Sequence, residues 1–230
     1  MAIADPPYGD GIVAEKWDQV SAKELAQHLA SMAAKLAQKG LPGSHLWLWG
    51  GIGTPGERAL YRALIEIEDV GDWLMAEQIT WRKKRGYGTE WRCLMTREEC
   101  LHFTLAEREE CLRFVLGDVK KPRVYHKQFT DEVRGYEGFN EKYKAKSDFK
   151  RLTMVWDHAS DMGQNKPHKC HKPRELAETQ ILSTTDEGDL VLDLFAGSAE
   201  VSLVARECDR RFVAYEGDSV EFDKIVARLS

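Results

Sequence analysis

Short apolar runs closed by glycine or proline alternate with amphipathic stretches of helical period along most of this chain, and that alternation admits few folds. His45 to Trp49 and Leu190 to Leu194 are too short for helices and lack a polar face, the pattern of strands buried between two helical layers. Ala2-Ile3-Ala4 reads as another strand, as do Met75 to Trp81, Cys100 to Leu105 and Arg211 to Glu216. Helical segments separate them. Ala22 to Gln38 opens on a Ser21/Glu24 capping box and is stopped by Gly40 and Pro42; Glu57 to Glu66, Lys172 to Leu182 and Glu200 to Glu207 follow. The expected architecture is α/β, a doubly wound and mainly parallel sheet.

A chain of 230 residues accommodates one such domain with a modest insertion. Arg82 to Arg92 reads as a polar loop, and from about residue 107 to residue 165 periodicity fades while charge rises. Residues 1–106 and 166–230 are therefore expected to be two halves of one domain, with 107–165 inserted between them. No apolar run approaches a membrane span, and the opening residues lack the charged start and apolar core of a signal peptide, so a cytoplasmic location is expected. Five scattered cysteines without a Cys-x-x-Cys pair fit reduced thiols. Cys170, His168 and His171 crowd too closely for a tetrahedral zinc site, and no metal is expected.

The net charge of −5 is unevenly spread. Arg82 to Arg174 holds 22 Lys+Arg against 14 Asp+Glu, a surplus of eight positive charges that leaves −13 for the remainder. A basic middle between acidic flanks suits either a solvated surface or a nucleic-acid partner.

Two constellations carry chemistry. Asp5-Pro6-Pro7-Tyr8 follows directly on a strand, at the carboxyl end where open α/β sheets bind ligands. An aromatic amine is a poor nucleophile because its lone pair is delocalised into the ring. A site that activates it needs two acceptors for its N–H groups: the Asp5 carboxylate offers one and the Pro6 carbonyl another. Pro7 stiffens the turn, and Tyr8 offers a flat face for a base taken out of its helix. Alone, the tetrapeptide could equally be a turn that ends a strand.

The second constellation is Val191-Leu192-Asp193-Leu194-Phe195-Ala196-Gly197-Ser198-Ala199-Glu200, a strand, a tight small-residue turn and a helix start. Glu216 ends the next strand about 20 residues on, the place from which an acid can hold two ribose hydroxyls. A nucleoside site is the functional reading; a plain helix-start turn is the alternative.

In these motifs and their order the chain resembles the amino-methyltransferases acting on adenine N6 or cytosine N4 in DNA, specifically the permuted group whose catalytic motif precedes the cofactor motif. Trp47-Leu48-Trp49-Gly50-Gly51 is similar to the next core strand of that family. Ile79 to Lys83, Gly86-Tyr87-Gly88 and Glu99 to Phe103 resemble its hairpin region, and His168-x-x-x-Lys172-Pro173 the segment before its cofactor strand. The resemblance implies a Rossmann-like, mixed seven-stranded sheet and S-adenosylmethionine as methyl donor. It further implies a catalytic Asp5-Pro6-Pro7-Tyr8, with Asp5, His168, Lys172, Asp193, Phe195, Ala196, Gly197, Ser198 and Glu216 at the cofactor. Residues 107–165 would recognise the target, and Arg82, Lys83, Lys84, Arg85, Tyr87 and Trp91 would clamp phosphates and bases. Direct methyl transfer to adenine N6 in double- or single-stranded DNA is the expected activity, as in restriction-modification. An aspartate opening the tetrapeptide, where cytosine-modifying members usually carry serine, favours adenine.

Three departures from the family pattern bear on this reading. Ala199 stands where a second glycine is usual, and either narrows the turn or changes only its packing on the helix side. Lys169-Cys170-His171 replaces Pro-Thr-Gln, removing a hydroxyl contact to the cofactor. The first strand is short, which a partner subunit or a shortened chain would explain, and a homodimer or a partner subunit is the expected association. Cytosine C5 methylation would need a Pro-Cys nucleophile, and the chain has none. RNA adenosine N6 methylation, DNA cytosine N4 methylation and a non-catalytic nucleic-acid-binding subunit are the competing readings.

Overall fold

The computed structural model describes residues 1–8, 20–50, 55–87, 95–105, 121–122, 149–150, 153–157 and 171–230. Its main sheet has seven strands in the order β7-β3-β4-β2-β1-β8-β9. These are β1 (Ala2–Ala4), β2 (Ser44–Gly50), β3 (Leu74–Tyr87), β4 (Met95–Leu105), β7 (Val155–Asp157), β8 (Leu190–Asp193) and β9 (Arg211–Ala214). Lys121–Pro122 (β5) and Phe149–Lys150 (β6) form a separate antiparallel pair. Among the described residues five helices accompany them: α1 (Ala22–Ala37), α2 (Pro55–Val70), α3 (Arg174–Thr184), α4 (Glu200–Glu207) and α5 (Ser219–Leu229). All pairings in the main sheet are parallel except those of β4, which runs against both β2 and β3. The expected mixed, doubly wound sheet is the observed one. Among the described residues no helix is long and apolar enough to cross a membrane.

Each face of the sheet is an apolar layer, as strands without a polar side require. Ala2, Ala4, Leu46, Leu48, Leu101 and Phe103 pack under α1 and α2, while Ile3, Trp47, Trp49, Ile79, Trp81 and Trp156 pack under α3 and α4. The period of two along each strand sorts one set from the other. At the N-terminus of α1 the capping box is complete: the Glu24 amide donates to Ser21 Oγ and the Ser21 amide to Glu24 Oε2. Loss of the cap would cost about 1 kcal/mol.

Four boundaries differ from those read in the sequence. Residues 82–87, expected in a loop, continue β3, because antiparallel pairing with β4 at Arg82 and Tyr87 satisfies backbone groups beneath polar side chains as well as apolar ones. β4 likewise starts at Met95 rather than Cys100. Val155–Asp157 lies in the segment expected to be an irregular insertion, yet forms the edge strand β7 with Trp156 buried. The rest of residues 107–165 lies outside the described residues apart from β5, β6 and residues 153–154. Helix α5 has no counterpart in the sequence reading, although Asp218 caps it by accepting from the amides of Val220 and Glu221.

The register fixes where the sheet ends. Gly50, the last residue of β2, is level with Glu99 of β4 and through it with Thr80 of β3. β3 therefore continues from Thr80 to Tyr87 past the carboxyl edge of the central strands. At strand spacing that overhang reaches up to about 20 Å.

Candidate active site

β1 lies between β2 and β8, with Ile3 paired to both Trp47 and Asp193 and the Leu194 amide donating to the Ile3 carbonyl at 3.0 Å. Two segments far apart in sequence, the loop after β1 and the turn after β8, thus leave the sheet side by side at its carboxyl edge. β9 follows β8 in the same direction and delivers Glu216 to that edge.

Asp5 stands two residues beyond Ile3, on the alternation that places Trp49, Trp81 and Cys100 on the α3 face. Its Oδ1 accepts from Lys172 Nζ at 2.5 Å and from the Tyr8 hydroxyl at 2.8 Å. Lys172 precedes α3 and reaches over the sheet edge, with its ammonium 5.2 Å from the Trp49 ring centre and 5.3 Å from that of Tyr8. It also donates to the Tyr8 oxygen at 2.9 Å and pairs with Glu98 Oε2 at 3.2 Å. Three partners use all three ammonium protons. Glu98 enters because β4 alone in the main sheet runs backwards, which brings the start of that strand to the edge where the others finish. Its Oε1 accepts from Lys83, whose ammonium also lies 5.0 Å from the Trp81 ring centre.

Burial disfavours charge on Lys172, but Asp5 and Glu98 outweigh it and raise its pKa. Burial likewise pushes the Glu98 carboxyl up, and Lys172 and Lys83 outweigh it and hold it below the usual range. Burial, with Asp5 and Glu98 nearby, raises the Tyr8 phenol well above its ordinary value, so it remains a donor.

The second part of the site is the turn after β8. The Gly197 amide donates to Glu216 Oε2 and the Asp218 amide to Glu216 Oε1, both at 2.9 Å, so one carboxylate ties the turn to the end of β9. Each of its oxygens keeps a lone pair for a further donor. Gly197 has φ 49°, and Ala199 takes the left-handed region as well, at φ 59°. The Ala199 methyl is buried with Ala196 and Ile225, so this departure from a second glycine is a matter of packing on the helix side. Phe195 is 37% exposed at the mouth of the turn rather than in the core. Backbone amides, an acid with capacity to spare and an exposed ring suit a nucleoside bearing two hydroxyls.

Asp193 is placed otherwise. Its buried carboxylate accepts from Ser202 Oγ at 2.8 Å and so anchors α4 to the end of β8. Ser198 Oγ meets His171 Nδ1 at 3.0 Å, and the His171 ring is buried beside Glu200. Where the family pattern has a hydroxyl-bearing segment, this chain therefore sends an imidazole to the same turn. Arg228 of α5 donates to the Ser198 carbonyl and, at 2.7 Å, to Glu200.

The expected nucleic-acid clamp divides. Lys83 is turned inward onto Glu98 and is 13% exposed, which corrects its reading as a phosphate contact: β-strand alternation puts it on the Trp81 side, facing the acid. Arg82, on the other side, is exposed and makes a forked pair with Asp157 of β7, 2.8 Å at its longer arm. Lys84, Arg85 and Tyr87 lie on the β3 overhang, with side chains outside the described part; Trp91 and His168 lie outside the described residues altogether. Glu98 carries no functional reading in the sequence, and His171 only that of a zinc ligand set aside on spacing. The signal for Glu98 is a pair of acids opening an otherwise apolar strand; what hid its role is that only the antiparallel course of β4 brings it to Asp5.

Fold and site together define an open α/β protein in which a carboxylate, Asp5, and a glycine turn clasped by Glu216 stand side by side at the carboxyl edge of the sheet. The family model for DNA methylases, of the N6/N4 type, matches residues 1–227. The chain belongs to this family: it is a DNA methyltransferase that takes its methyl group from S-adenosylmethionine. Among curated relatives, the type II methyltransferase M2.DpnII of Streptococcus pneumoniae is 26% identical over 245 residues, covering 99% of this chain and 81% of that protein. Among solved structures, PvuII DNA methyltransferase (cytosine-N4-specific) is similar in fold with a TM-score of 0.66 at 16% identity, covering 100% of this chain and 78% of that one. The M1.HpyAVI–SAM complex gives 0.59 at 16% identity, covering 99% and 87%.

Proposed function

We propose that the methyl acceptor is the exocyclic N6 of adenine in DNA, presented by a base swung out of its helix. The observation that carries this reading is the Asp5 carboxylate at the end of β1, one strand from the Gly197 turn. Asp5 accepts one N–H of the amine and the Pro6 carbonyl the other, which turns the nitrogen lone pair out of the ring plane. Tyr8 stacks on the base, worth about 1–3 kcal/mol toward the cost of extruding it. Glu216 would accept from the cofactor's ribose hydroxyls, and Phe195 and the turn backbone would flank its nucleoside. Bound S-adenosylmethionine would supply a methyl on a sulfonium, the amine lone pair forming the N–C bond while the C–S bonding pair stays on sulfur and the positive charge passes to nitrogen. The nitrogen then sheds its extra proton to Asp5 and on to solvent. Holding donor and acceptor in line supplies about 7–11 kcal/mol of the barrier reduction.

Asp5→Ala is expected to cut turnover by a factor of at least about 10³ while cofactor affinity changes little, the pattern of an interaction used mainly in the transition state. Incubating DNA and RNA separately with labelled S-adenosylmethionine, then digesting to nucleosides for mass spectrometry, tests the target. N6-methyladenine from DNA alone is the expected product. Cytosine N4 is the second reading, favoured by the likeness in fold to the PvuII enzyme, and N4-methylcytosine in the digest would establish it in place of the first.

A further inference from the structure

Two lysines enter the target pocket, and Glu98 touches both: Lys83 on Oε1 and Lys172 on Oε2. With Asp5 they make a cluster of two negative and two positive charges. The side chains of Lys172, Glu98 and Lys83 are 16%, 12% and 13% exposed, so water screens their charges weakly. Glu98 and Lys172 hold each other ionised against the cost of burial.

Methyl transfer moves a positive charge through this pocket, from sulfur onto the base nitrogen. Lys83 and Lys172 without Glu98 would face that charge with a surplus of their own. We propose that Glu98 is a positioning residue that brings the net charge of this cluster of Asp5, Lys83, Glu98 and Lys172 to zero, pinning both ammonium groups so that neither opposes the cationic methyl donor or the cation formed on the base. The proposal rests on the reading of Asp5 as the amine acceptor.

Glu98→Gln keeps the shape and removes the charge. S-adenosylmethionine is a sulfonium, whereas S-adenosylhomocysteine is its neutral thioether counterpart, so the ratio of their dissociation constants, measured by calorimetry, reports the charge the pocket presents. In Glu98→Gln the ratio should shift against the sulfonium by about tenfold. Adding Lys83→Met, which removes the surplus cation, should return the ratio toward that of the unaltered protein. Turnover on DNA should fall on the order of 10²-fold in Glu98→Gln and recover in part in the double variant. A structural role for Glu98 predicts the opposite: both ligands weakened alike, or a lowered unfolding midpoint that the second substitution lowers further. Either result, or an unchanged ratio, overturns the proposal. Asp5→Asn, assayed alongside, separates the two ideas. Retained turnover in that variant would refute the reading of Asp5 whatever Glu98 does, whereas an inactive Asp5→Asn with an unmoved ratio in Glu98→Gln refutes the proposal alone.

Discussion

Burial pushes the Asp193 carboxyl up to about 6 from an ordinary 3.8, even though Ser202 donates to its charged form. A carboxyl whose folded pKa lies above its unfolded one favours the fold only while protonated. Its contribution is present below about pH 4 and lost as the pH rises to about 6, some 2–3 kcal/mol in all on an order-of-magnitude reckoning. Asp193→Asn, which still accepts from Ser202, should remove that slope. Denaturant melts across this window should show a flatter stability profile for the variant and a more stable fold at neutral pH; parallel profiles would contradict the assignment. Ala199 illustrates the reverse kind of tolerance. The left-handed conformation costs an alanine about 1 kcal/mol, and burial of its methyl beside Ala196 and Ile225 offsets that. Of the residues the structure gathers at the carboxyl edge, Asp5, Tyr8, Gly197 and Glu216 could be singled out in the sequence because turn chemistry and strand-end position are local properties, and Lys172 only through the resemblance of its segment to the family pattern. Glu98 and His171 were not, because their roles arise from what a distant strand or turn places beside them.

At the scale of elements, Glu216 is a clasp between β8 and β9. Both of its oxygens accept backbone amides, one from the turn after β8 and one from the start of α5. Glu216→Gln can satisfy only one of these amides and presents its own N–H groups to the other, so the turn loosens. Affinity for S-adenosylmethionine should drop by about tenfold or more, corresponding to at least one lost charge-assisted hydrogen bond, while turnover at saturating cofactor stays close to that of the unaltered protein. Equilibrium binding beside saturation kinetics checks the split; equal losses in both would place Glu216 in the chemical step instead. Helices α1 to α4 and the central strands were readable from periodicity, and the α1 cap from Ser21 and Glu24 alone. β7 and the outer half of β3 were not. Their residues are polar or irregular in pattern, and pairing with a neighbour, rather than any preference of their own, makes them strands.

For the molecule as a whole, charge and shape coincide: the basic stretch begins on the β3 overhang, which projects past the edge where Asp5 and the Gly197 turn lie. Lys84 and Arg85 occupy that overhang, so Lys84→Ala/Arg85→Ala should weaken binding to duplex DNA of any sequence. The slope of log affinity against log salt should become shallower by about 0.9 for each phosphate the variant no longer neutralises. A salt titration in which both proteins give the same slope would remove the overhang from the interface. The order in which the sheet is assembled has a temporal meaning too. Asp5 and its partner Lys172 stand 167 positions apart, and β1 is flanked on both sides only when β8 is made. A ribosome has therefore delivered β8 as well as β1 before the pocket can exist, so reactivity is acquired only in the step that closes the sheet.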